Sequence, residues 1–432
     1  MNYLILGAGP AGVVAAETLR NTDPDGAITL VGAENEPPYS RMAIPYLLTG
    51  RIDERGTHLR KEPGWYKDRR IDVTSRRATA VHPGSKTVAF ADGTSVPYDR
   101  LLIATGARPL RPAIPGLDLP GVHTCWTLDD ARYIMDKARP GARVVLMGAG
   151  FIGSIVLEAL AERGVTLTVV EMGDRMVPRM MNPTAGGMIK NWCRSKGVEV
   201  LTSTRILGIE GNGGQAKGGF LASLFRSKPA NGGGALTVTL DNGHKLEADL
   251  VVISAGVRPN IEFLADSGIV MDVGIQVDEH MRTSAPDVYA AGDVAQGKDV
   301  STGHNNIHAI QPTATEHGRV SALNMAGRPA AYKGSLQMNV LDTLGLISSS
   351  FGLWMGVEGG EAAEVIDTDN YKYLRLEFAD DRMVGATAIG LTQHVGVLRG
   401  LIQTGVQLGP WKQRLMADPH RIMEAYLART QA

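Results

Sequence analysis

The chain has 432 residues, and its 44 Lys and Arg nearly balance its 45 Asp and Glu, so that the formal net charge is -1. This balance provides no strong attraction for nucleic acid or an anionic membrane, and a hydrophobic content of 44% excludes a mainly disordered chain. Two cysteines, Cys125 and Cys193, are too few for a disulfide scaffold or a four-cysteine zinc site. The length predicts about three domains.

An apolar run, Tyr3–Leu6, opens the chain with no basic segment before it and no cleavage-type segment after it. A secretory signal is therefore not expected. No apolar run approaches the roughly 18 residues that cross a bilayer, and cysteines are sparse. We therefore expect a soluble, cytoplasmic protein that does not insert into a membrane.

The first part of the chain alternates apolar runs with a helical segment. After the strand Tyr3–Leu6, a helix is predicted over Ala11–Arg20 and a second strand over Ile28–Val31. A further strand at Leu101–Gly106 runs into a glycine turn. Because these strands are apolar throughout rather than alternating, they indicate a parallel sheet covered on both faces.

Three glycines lie between the first strand and the helix, spaced Gly7-x-Gly9-x-x-Gly12. In this pattern the first glycine allows a tight turn, the second lets a diphosphate approach the backbone, and the third lets the helix pack against the strand. The N–H groups at the positive end of the helix then bind the diphosphate. Glu34 follows the second strand, where a carboxylate accepts hydrogen bonds from a ribose, and Glu36 is the alternative.

A proline-rich crossing at Arg108–Gly121 separates this unit from a second unit with the same organisation. The second unit has a strand at Val144–Met147, a helix at Ile152–Arg163 and a strand at Thr166–Val170. The repetition of strand, glycine turn and helix predicts a second parallel sheet.

The glycine pattern also returns, as Gly148-x-Gly150-x-x-Gly153, and Glu171 follows the next strand. Two complete fingerprints in one chain predict two adenine dinucleotides, and the useful combination is a flavin with a nicotinamide. Because Glu171 would repel a 2′-phosphate, NAD(H) is favoured over NADP(H), with Arg175 as the residue that could reverse this preference.

Two segments between this unit and the C-terminal part are distinctive. Gly211–Gly234 holds eight glycines around an apolar island and predicts a flexible hairpin tip, with a docking element for a partner as the alternative. After a strand at Leu250–Ala255, a small-residue strand from Val288 ends in Gly292-Asp293. A Gly-Asp pair at the end of a strand brings the Asp carboxylate to a polyol ligand, and the glycine leaves room for that ligand beside the backbone.

The C-terminal part changes its pattern after Gly327. Pro312 begins a helix that runs to Met325, and beyond it strands precede helices, which is typical of an α+β domain. The predicted tail elements are the strands Tyr371–Phe378 and Val384–Ile389 and the helices Val395–Gln403 and Arg421–Arg429.

Taken together, both glycine fingerprints, Ala104-Thr105-Gly106 and the Gly292-Asp293 segment resemble the FAD-dependent pyridine-nucleotide-disulfide oxidoreductase superfamily. Within it the chain is similar to the branch of rubredoxin and ferredoxin reductases and the flavin module of NADH-dependent nitrite reductase. The resemblance implies that Asp293 binds the ribitol of FAD, Glu34 the adenosine ribose and Arg41 the pyrophosphate. It also implies that the helix begun at Pro312 points its N-terminus at the flavin pyrimidine, and that the C-terminal domain serves dimerisation.

The sequence departs from this superfamily at several positions. Met42 stands where oxidases and coenzyme A-disulfide reductases carry a cysteine, so thiol chemistry is not expected. Tyr46 and Ile155 stand where the reductases carry a Lys–Glu pair beside the flavin. Glu158 is a possible replacement for the acid, although a packed or exposed glutamate is the simpler interpretation.

The remaining reactive side chains are assigned structural roles. Cys125 and Cys193 are interpreted as small core or surface residues. His308 and His317 flank the start of the Pro312 helix without an acid at a defined spacing, so both are interpreted as structural or solvated.

The sequence therefore predicts an α/β fold with two Rossmann-like dinucleotide-binding domains, for FAD and NAD, and a C-terminal α+β interface domain. The predicted boundaries are 1–110 and 250–326 for a discontinuous FAD-binding domain, 111–249 for the NAD-binding domain and 327–432 for the interface domain. The predicted cofactor-binding residues are Gly7, Gly9, Pro10, Gly12, Glu34, Arg41, Ala104, Thr105, Gly106, Gly148, Gly150, Phe151, Ile152, Gly153, Glu171, Gly292, Asp293 and Pro312.

The predicted function is hydride transfer between NAD(H) and FAD, with the flavin as the redox centre and neither a protein nucleophile nor a metal. Electrons would pass to or from an iron–sulfur protein or another subunit of a larger complex. The chain also resembles flavin subunits that reduce NAD⁺ for 2-oxoacid dehydrogenases such as phenylglyoxylate dehydrogenase, so the direction is open. The alternatives are an NADH oxidase or peroxidase, and a flavin-bearing interaction protein that responds to NADH by dimerising.

Overall fold

The computed structural model describes residues 1–211 and 235–430. Apart from Gly211, the segment predicted as a hairpin tip or docking element lies outside the described residues. Among the helices of the two described stretches, none is long and apolar enough to cross a membrane.

The first sheet has five parallel strands with Asn2–Leu6 in the centre. Tyr3 and Ile5 point to one face, against the helices Pro10–Thr22 and Gln311–Met325, while Leu4 and Leu6 pack on the other face against residues of a small antiparallel sheet. In spatial order the strands are Val288–Ala290, Arg100–Ile103, Asn2–Leu6, Ala27–Gly32 and Ile71–Ser75. Burial on both faces is the reason these strands are apolar throughout.

The second sheet repeats this arrangement, again with five parallel strands. In the same spatial order they are Val122–Thr124, Leu250–Ile253, Arg143–Met147, Thr166–Val170 and Glu199–Leu201. The helices Leu128–Lys137, Phe151–Glu162 and Pro183–Ser195 contribute buried residues to its core.

The boundary predicted between residues 249 and 250 is wrong. The strand Leu250–Ile253 was expected to begin the second FAD segment, but it pairs in parallel with Val144–Met147 and therefore belongs to the second sheet. The return of the chain to the first sheet comes with Val288–Ala290, which pairs with Arg100–Ile103. The other domain boundaries stay predictions.

The C-terminal part forms a five-stranded antiparallel sheet followed by helices. Its strands are Met338–Thr343, Leu346–Gly352, Glu361–Asp367, Lys372–Ala379 and Arg382–Ile389, and its helices are Val395–Thr404, Pro410–Ala417 and Ile422–Thr430. Contacts join it to the second unit, since the indole of Trp192 donates to the carbonyl oxygens of Thr343 and Leu344.

The remaining elements are short and connect the two parallel sheets and the C-terminal sheet. The small sheets comprise Ala78–His82, Thr87–Phe90 and Ser95–Pro97; Ile206–Gly211, Leu236–Leu240 and Lys245–Ala248; Ala107–Pro109 and Val257–Pro259; and Ile275–Gln276, Ala295–Lys298 and Asn305–Asn306. The short helices are Ile44–Leu48, Glu54–Thr57 and Trp65–Asp68.

Candidate dinucleotide-binding site

A cavity of about 1820 Å³ lies at the carboxyl ends of both parallel sheets. Parallel sheets bind ligands at this edge, where the loops after the strands converge. Both glycine loops, both acidic residues that follow the second strands, and Asp293 line this one cavity. The C-terminal part also contributes to the wall, through residues that include Gln337 and Trp354.

The first glycine loop has the geometry that its spacing predicts. Gly7 has a φ of +116°, and a Cβ there would lie 2.0 Å from the carbonyl oxygen of Ala104. A Cβ on Gly12 would lie 1.9 Å from the carbonyl oxygen of Gly7, so the helix approaches the strand as closely as backbone allows. A Cβ on Gly9 would meet nothing within 4 Å, which leaves open space over that backbone.

The second glycine loop is nearly the same. Gly148 has a φ of +99°, with a Cβ position 2.3 Å from the carbonyl oxygen of Ser254. A Cβ on Gly153 would lie 2.2 Å from the carbonyl oxygen of Gly148, and one on Gly150 would again meet nothing within 4 Å. Both loops therefore present an open stretch of backbone at the start of a helix, as diphosphate binding requires.

Glu34 and Arg41 are brought together as an ion pair on the cavity wall. The Arg41 guanidinium lies 2.6 Å from one Glu34 oxygen, and the Tyr39 hydroxyl donates to the other at 2.6 Å. Arg41 also donates to the carbonyl oxygen of Trp126 at 2.6 Å, which links the first unit to the second. Each carboxylate oxygen keeps a second lone pair for a ligand hydroxyl. Glu36, the alternative acid, accepts from Arg132 instead.

Glu171 has different partners, although it occupies the equivalent place. Its carboxylate is buried and accepts from the backbone N–H of Ala149 and of Gly173, both at 2.7 Å. Arg175 donates to the carbonyl oxygens of Met181 and Pro178, at 2.9 and 3.1 Å, and pairs with Asp174. Its guanidinium is therefore occupied by carbonyl oxygens and a carboxylate of neighbouring residues.

The Asp293 carboxylate is unusual because it has no hydrogen-bond or ion-pair partner among the described residues, although it lines the cavity. Burial raises its pKa to about 6, against the opposing effect of Arg41. A Cβ on Gly292 would lie 3.3 Å from Ala11 and 3.5 Å from Ala314, so the Gly-Asp turn sits between the starts of two helices. The Gly292 N–H donates to Nδ1 of His317 at 3.3 Å.

The helix Gln311–Met325 begins beside this carboxylate. No side chain caps its N-terminus, Pro312 occupies its first turn, and both Ile310 and Gln311 line the cavity. The helix reaches this position because Gly318 packs against Ala11, where a Cβ would lie 2.2 Å from the carbonyl oxygen. An uncapped helix start provides free N–H groups and positive potential toward a ligand.

The turn Ala104-Thr105-Gly106 lines the cavity between the two sheets. The Thr105 hydroxyl donates to the carbonyl oxygen of Asn260 at 3.0 Å, and the Asn260 amide donates back to Thr105 at 2.9 Å. These bonds fix the end of the strand Arg100–Ile103 against the segment that returns from the second sheet. The residues present fit two dinucleotides, because two loops offer open backbone and a partnerless carboxylate faces the same cavity.

The structure also places the cysteines and the residues at which the sequence departs from the superfamily. Met42 lines the cavity, and burial raises the pKa of Cys125, also on the wall, to about 12, so this side chain is a neutral thiol. Cys193 is buried in the core. Tyr46 is exposed, and Glu158 accepts from the backbone N–H of Leu344, so Glu158 faces the C-terminal sheet.

Sequence reasoning missed several cavity residues. Trp126 follows Val122–Thr124, the edge strand of the second sheet, and so occupies the place that Gly292-Asp293 occupies in the first. A strand of three residues has too weak a pattern to be recognised. His308 is buried on the cavity wall with Asp299 beside it, an acid that only the hairpin Ala295–Asn306 brings near.

Comparison with known proteins agrees with this geometry. The family profile described as pyridine nucleotide-disulphide oxidoreductase matches residues 1–318. The epsilon subunit of the NADH-dependent phenylglyoxylate dehydrogenase of Aromatoleum evansii is 32% identical over 431 residues, covering 99% of this chain and 97% of the relative. The ferredoxin–NAD(+) reductase component of the anthranilate 1,2-dioxygenase system of Burkholderia cepacia is 30% identical, covering 98% and 99%.

Among solved structures, an NAD-dependent persulfide reductase from A. fulgidus superposes with a TM-score of 0.84 at 29% identity, covering 95% of this chain and 78% of that one. The chain belongs to the pyridine nucleotide-disulphide oxidoreductase family. It is an FAD-dependent oxidoreductase that uses NAD(H), which confirms the predicted enzyme class and cofactors.

Proposed function

We propose that the chain carries electrons between NAD(H) and a separate redox protein or complex subunit, with FAD held by the first unit and NAD(H) by the second. The supporting observation is the single cavity that both glycine loops and Asp293 line. Two dinucleotides bound at these loops extend into one space, where a nicotinamide can lie beside a flavin. Close approach in a fixed orientation is the main requirement of hydride transfer between two bound cofactors.

For FAD, we assign the pyrophosphate to the backbone of the first glycine loop and to Arg41. Gly7, Gly9, Pro10 and Gly12 supply the turn and the helix start. Glu34 accepts from the adenosine ribose. The carboxyl end of the first sheet, at Ala104, Thr105 and Gly106, bounds the space for the isoalloxazine.

The remaining assignments concern the ribitol and the pyrimidine ring of the flavin. Asp293 accepts from the ribitol hydroxyls, and Gly292 gives the chain room to approach them. The helix start at Pro312 directs its free N–H groups at the pyrimidine, where negative charge accumulates when the flavin takes up hydride. FAD supplies the redox chemistry, while these residues bind it, orient it and stabilise the charge.

For NAD(H), we assign the diphosphate to Gly148, Gly150 and Gly153, together with the first helical residues Phe151 and Ile152. Glu171 accepts from the adenosine ribose and repels a 2′-phosphate. Because Arg175 is bound to backbone carbonyl oxygens, it does not offset this repulsion. We therefore infer a preference for NADH over NADPH.

The partner is inferred from the relatives. The phenylglyoxylate dehydrogenase subunit and the dioxygenase-system reductase are named for a complex and for a ferredoxin, respectively. We infer that this chain likewise exchanges electrons with an iron–sulfur protein or a complex subunit in the cytoplasm, and that its C-terminal sheet serves pairing with a second copy.

The test combines native purification with anaerobic kinetics. The tagged chain is purified from native extract, and the preparation is examined by ultraviolet–visible spectroscopy and iron analysis for flavin and a co-purifying iron–sulfur protein. We expect NADH to bleach the flavin rapidly without oxygen, and the co-purified protein to be reduced in turn.

Three outcomes would contradict this proposal. A colourless protein that does not take up added FAD would refute the flavin assignment. Turnover with oxygen or peroxide as fast as with the co-purified acceptor would instead support an NADH oxidase or peroxidase. Slow bleaching coupled to a change of oligomeric state would favour an NADH-responsive interaction protein.

A further inference from the structure

Arg41, which we assign to the FAD pyrophosphate, has a long side chain that is 37% exposed on the cavity wall. A guanidinium binds a phosphate well when its planar fork is held in one orientation, because a free arginine side chain loses rotamer entropy on binding. The contacts that hold Arg41 within the protein therefore contribute to the affinity of the site.

Three hydrogen bonds hold the Arg41 guanidinium. Its Nη2 donates to Glu34 at 2.6 Å, and its Nη1 donates to the Tyr39 hydroxyl at 3.2 Å and to the carbonyl oxygen of Trp126 at 2.6 Å. These bonds use three of the five guanidinium hydrogens, so that the Nε–H and one hydrogen on Nη2 remain for a ligand. Two remaining N–H groups are what bidentate binding of a phosphate requires.

Trp126 contacts Arg41 a second time, through its indole ring. The Cζ atom of Arg41 lies 5.2 Å from the centroid of the indole and 5.6 Å from the centroid of the Tyr39 ring, both within the range of a cation–π interaction. Indole is the best aromatic partner for a cation. Glu34 and Tyr39 are close to Arg41 in the chain, whereas Trp126 is 85 positions away and belongs to the second unit.

The loop that carries Trp126 is itself fixed at the start of the helix Leu128–Lys137. Asp130 accepts from the backbone N–H groups of Trp126 and Thr127, both at 3.0 Å, and from the Thr124 hydroxyl at 2.9 Å. The Thr127 hydroxyl in turn accepts from the Asp130 N–H, which completes a capping box. Trp126 therefore meets Arg41 from a hydrogen-bonded support.

The same helix holds the first unit through Arg132. Its guanidinium donates to Glu36 at 2.6 Å and to both carboxylate oxygens of Glu54 at 2.8 Å. Both acids belong to the part of the first unit that carries Arg41. These ion pairs hold the helix against that part of the chain, so that Trp126 stays beside Arg41.

We propose that Trp126 is a positioning residue for FAD, because its indole ring and its carbonyl oxygen hold Arg41 with two N–H groups directed at the pyrophosphate. This inference rests on the proposed FAD site. It makes the FAD affinity of the first unit depend on a side chain of the unit to which we assign NAD(H).

The test compares the FAD affinity of the wild type, Trp126→Leu, Arg41→Ala and the double variant, by fluorescence titration of the FAD-free proteins. We expect Trp126→Leu to weaken FAD binding about 3- to 30-fold, which corresponds to the loss of one cation–π contact. In the Arg41→Ala background, the same change should alter FAD binding by less than about twofold. Unchanged FAD binding by Trp126→Leu, or equal weakening in both backgrounds, would overturn the inference.

Two further variants separate positioning from a structural role. Trp126→Phe keeps an aromatic face beside the guanidinium and should recover most of the FAD affinity that Trp126→Leu loses. The matched control is Trp411→Leu, which removes an indole that lies 4.5 Å from the Arg414 guanidinium in the C-terminal part. This control should bind FAD as the wild type does. A Trp126→Phe protein that binds FAD no better than Trp126→Leu would contradict the role of the ring.

A variant that leaves the indole in place covers the case in which Trp126→Leu does not fold, as judged by circular dichroism. Asp130→Asn weakens the support of the loop and should lower FAD affinity only while Arg41 is present. An effect of the same size in the Arg41→Ala background would overturn the inference. A wild-type protein that does not bind FAD refutes the proposed function, whereas FAD binding without coupling between Arg41 and Trp126 refutes only this step.

Discussion

The two glycine loops of this chain have almost the same geometry, but the acids that accompany them do not. Gly7 and Gly148 each accept the left-handed backbone that the turn requires, and their N–H groups donate to Val31 and Val170 at the same distance of 2.8 Å. The acid of the first unit, Glu34, bonds to side chains, whereas the acid of the second unit, Glu171, is buried against backbone N–H groups.

The glycine loops, which are alike, form a general diphosphate site. The side chains around the loops differ between the two units, and these side chains select each ligand. The loops supply backbone, which is the same for any dinucleotide. In the first unit, the return of the chain through Val288–Ala290 adds Asp293 and a second helix start. In the second unit, the equivalent edge strand ends at Thr124 and is followed by Cys125 and Trp126, which offer no carboxylate. The surroundings therefore support the proposed binding of the flavin at the first loop.

The largest effects are expected from placing a methyl group on the helix-packing glycines. Gly12→Ala forces a Cβ into the Gly7 carbonyl, and Gly153→Ala does the same at Gly148. Such overpacking costs about 3 kcal/mol, or roughly a hundredfold in binding. Gly12→Ala should lose FAD, while Gly153→Ala should stay yellow and fail to be bleached by NADH.

The matched controls for this pair are Gly9→Ala and Gly150→Ala, where a Cβ meets open space in the protein. Both should fold normally by circular dichroism and weaken only the dinucleotide at their own loop. If Gly153→Ala lost FAD while NADH binding survived, the assignment of the two loops would have to be exchanged.

A smaller effect with a distinctive pH dependence is expected from Asp293→Asn. Because burial raises the pKa of Asp293 to about 6 from 3.8, the FAD-free native state binds more protons than the unfolded state between these values. Ionised Asp293 therefore costs the FAD-free protein about 3 kcal/mol above pH 6 and nothing below pH 4. Asn should raise the stability of the FAD-free protein at pH 8 by up to this amount.

The same variant should bind FAD about 10- to 100-fold more weakly, since the ribitol loses a charged acceptor worth about 1.5–3 kcal/mol. Urea unfolding of the FAD-free protein at pH 8 and at low pH, with FAD titration at pH 8, measures both. A variant that is destabilised without FAD would show that Asp293 is a structural residue.

Glu171→Gln is expected to have an intermediate effect confined to NADH. In this variant the amide nitrogen would face one of the two backbone N–H groups that now donate to the carboxylate. Two donors that face each other lose a hydrogen bond, which costs about 1–3 kcal/mol. The KM for NADH should rise about tenfold, with FAD content unchanged. NADPH should be used somewhat better than by the wild type, because the charge that repels its 2′-phosphate is removed, but it should gain no cationic partner, because Arg175 stays bound to backbone carbonyl oxygens. Steady-state kinetics with both nucleotides provide the measurement, and an unchanged KM for NADH would disprove the ribose role.

The smallest effect is expected from Cys125→Ala. Burial and the nearby Asp130 raise the pKa of this thiol, so it is neither a nucleophile nor a redox group at neutral pH. The rate of flavin bleaching should stay within about twofold of the wild type, and alkylating reagents should leave it unchanged. Loss of NADH-dependent reduction in this variant would return thiol chemistry to the mechanism.

Much of the site could be predicted because its glycines act locally. The tight turn and the helix approach involve residues within one strand–turn–helix segment, so their spacing appears directly in the sequence. The partners of the charged groups could not be predicted in this way. Arg41 meets Trp126 and His308 meets Asp299 only after the two sheets, the hairpin and the helix have packed together.

The sequence by itself determined the two dinucleotide units, their order and the helices that begin at them, since periodicity and glycine spacing are properties of short segments. The tertiary structure alone decided that Leu250–Ile253 completes the second sheet and that Val288–Ala290 returns to the first. Strand pairing between distant segments depends on which apolar faces remain to be buried. The same packing places Asp293 and His308 on one cavity wall, because their positions follow from the whole fold.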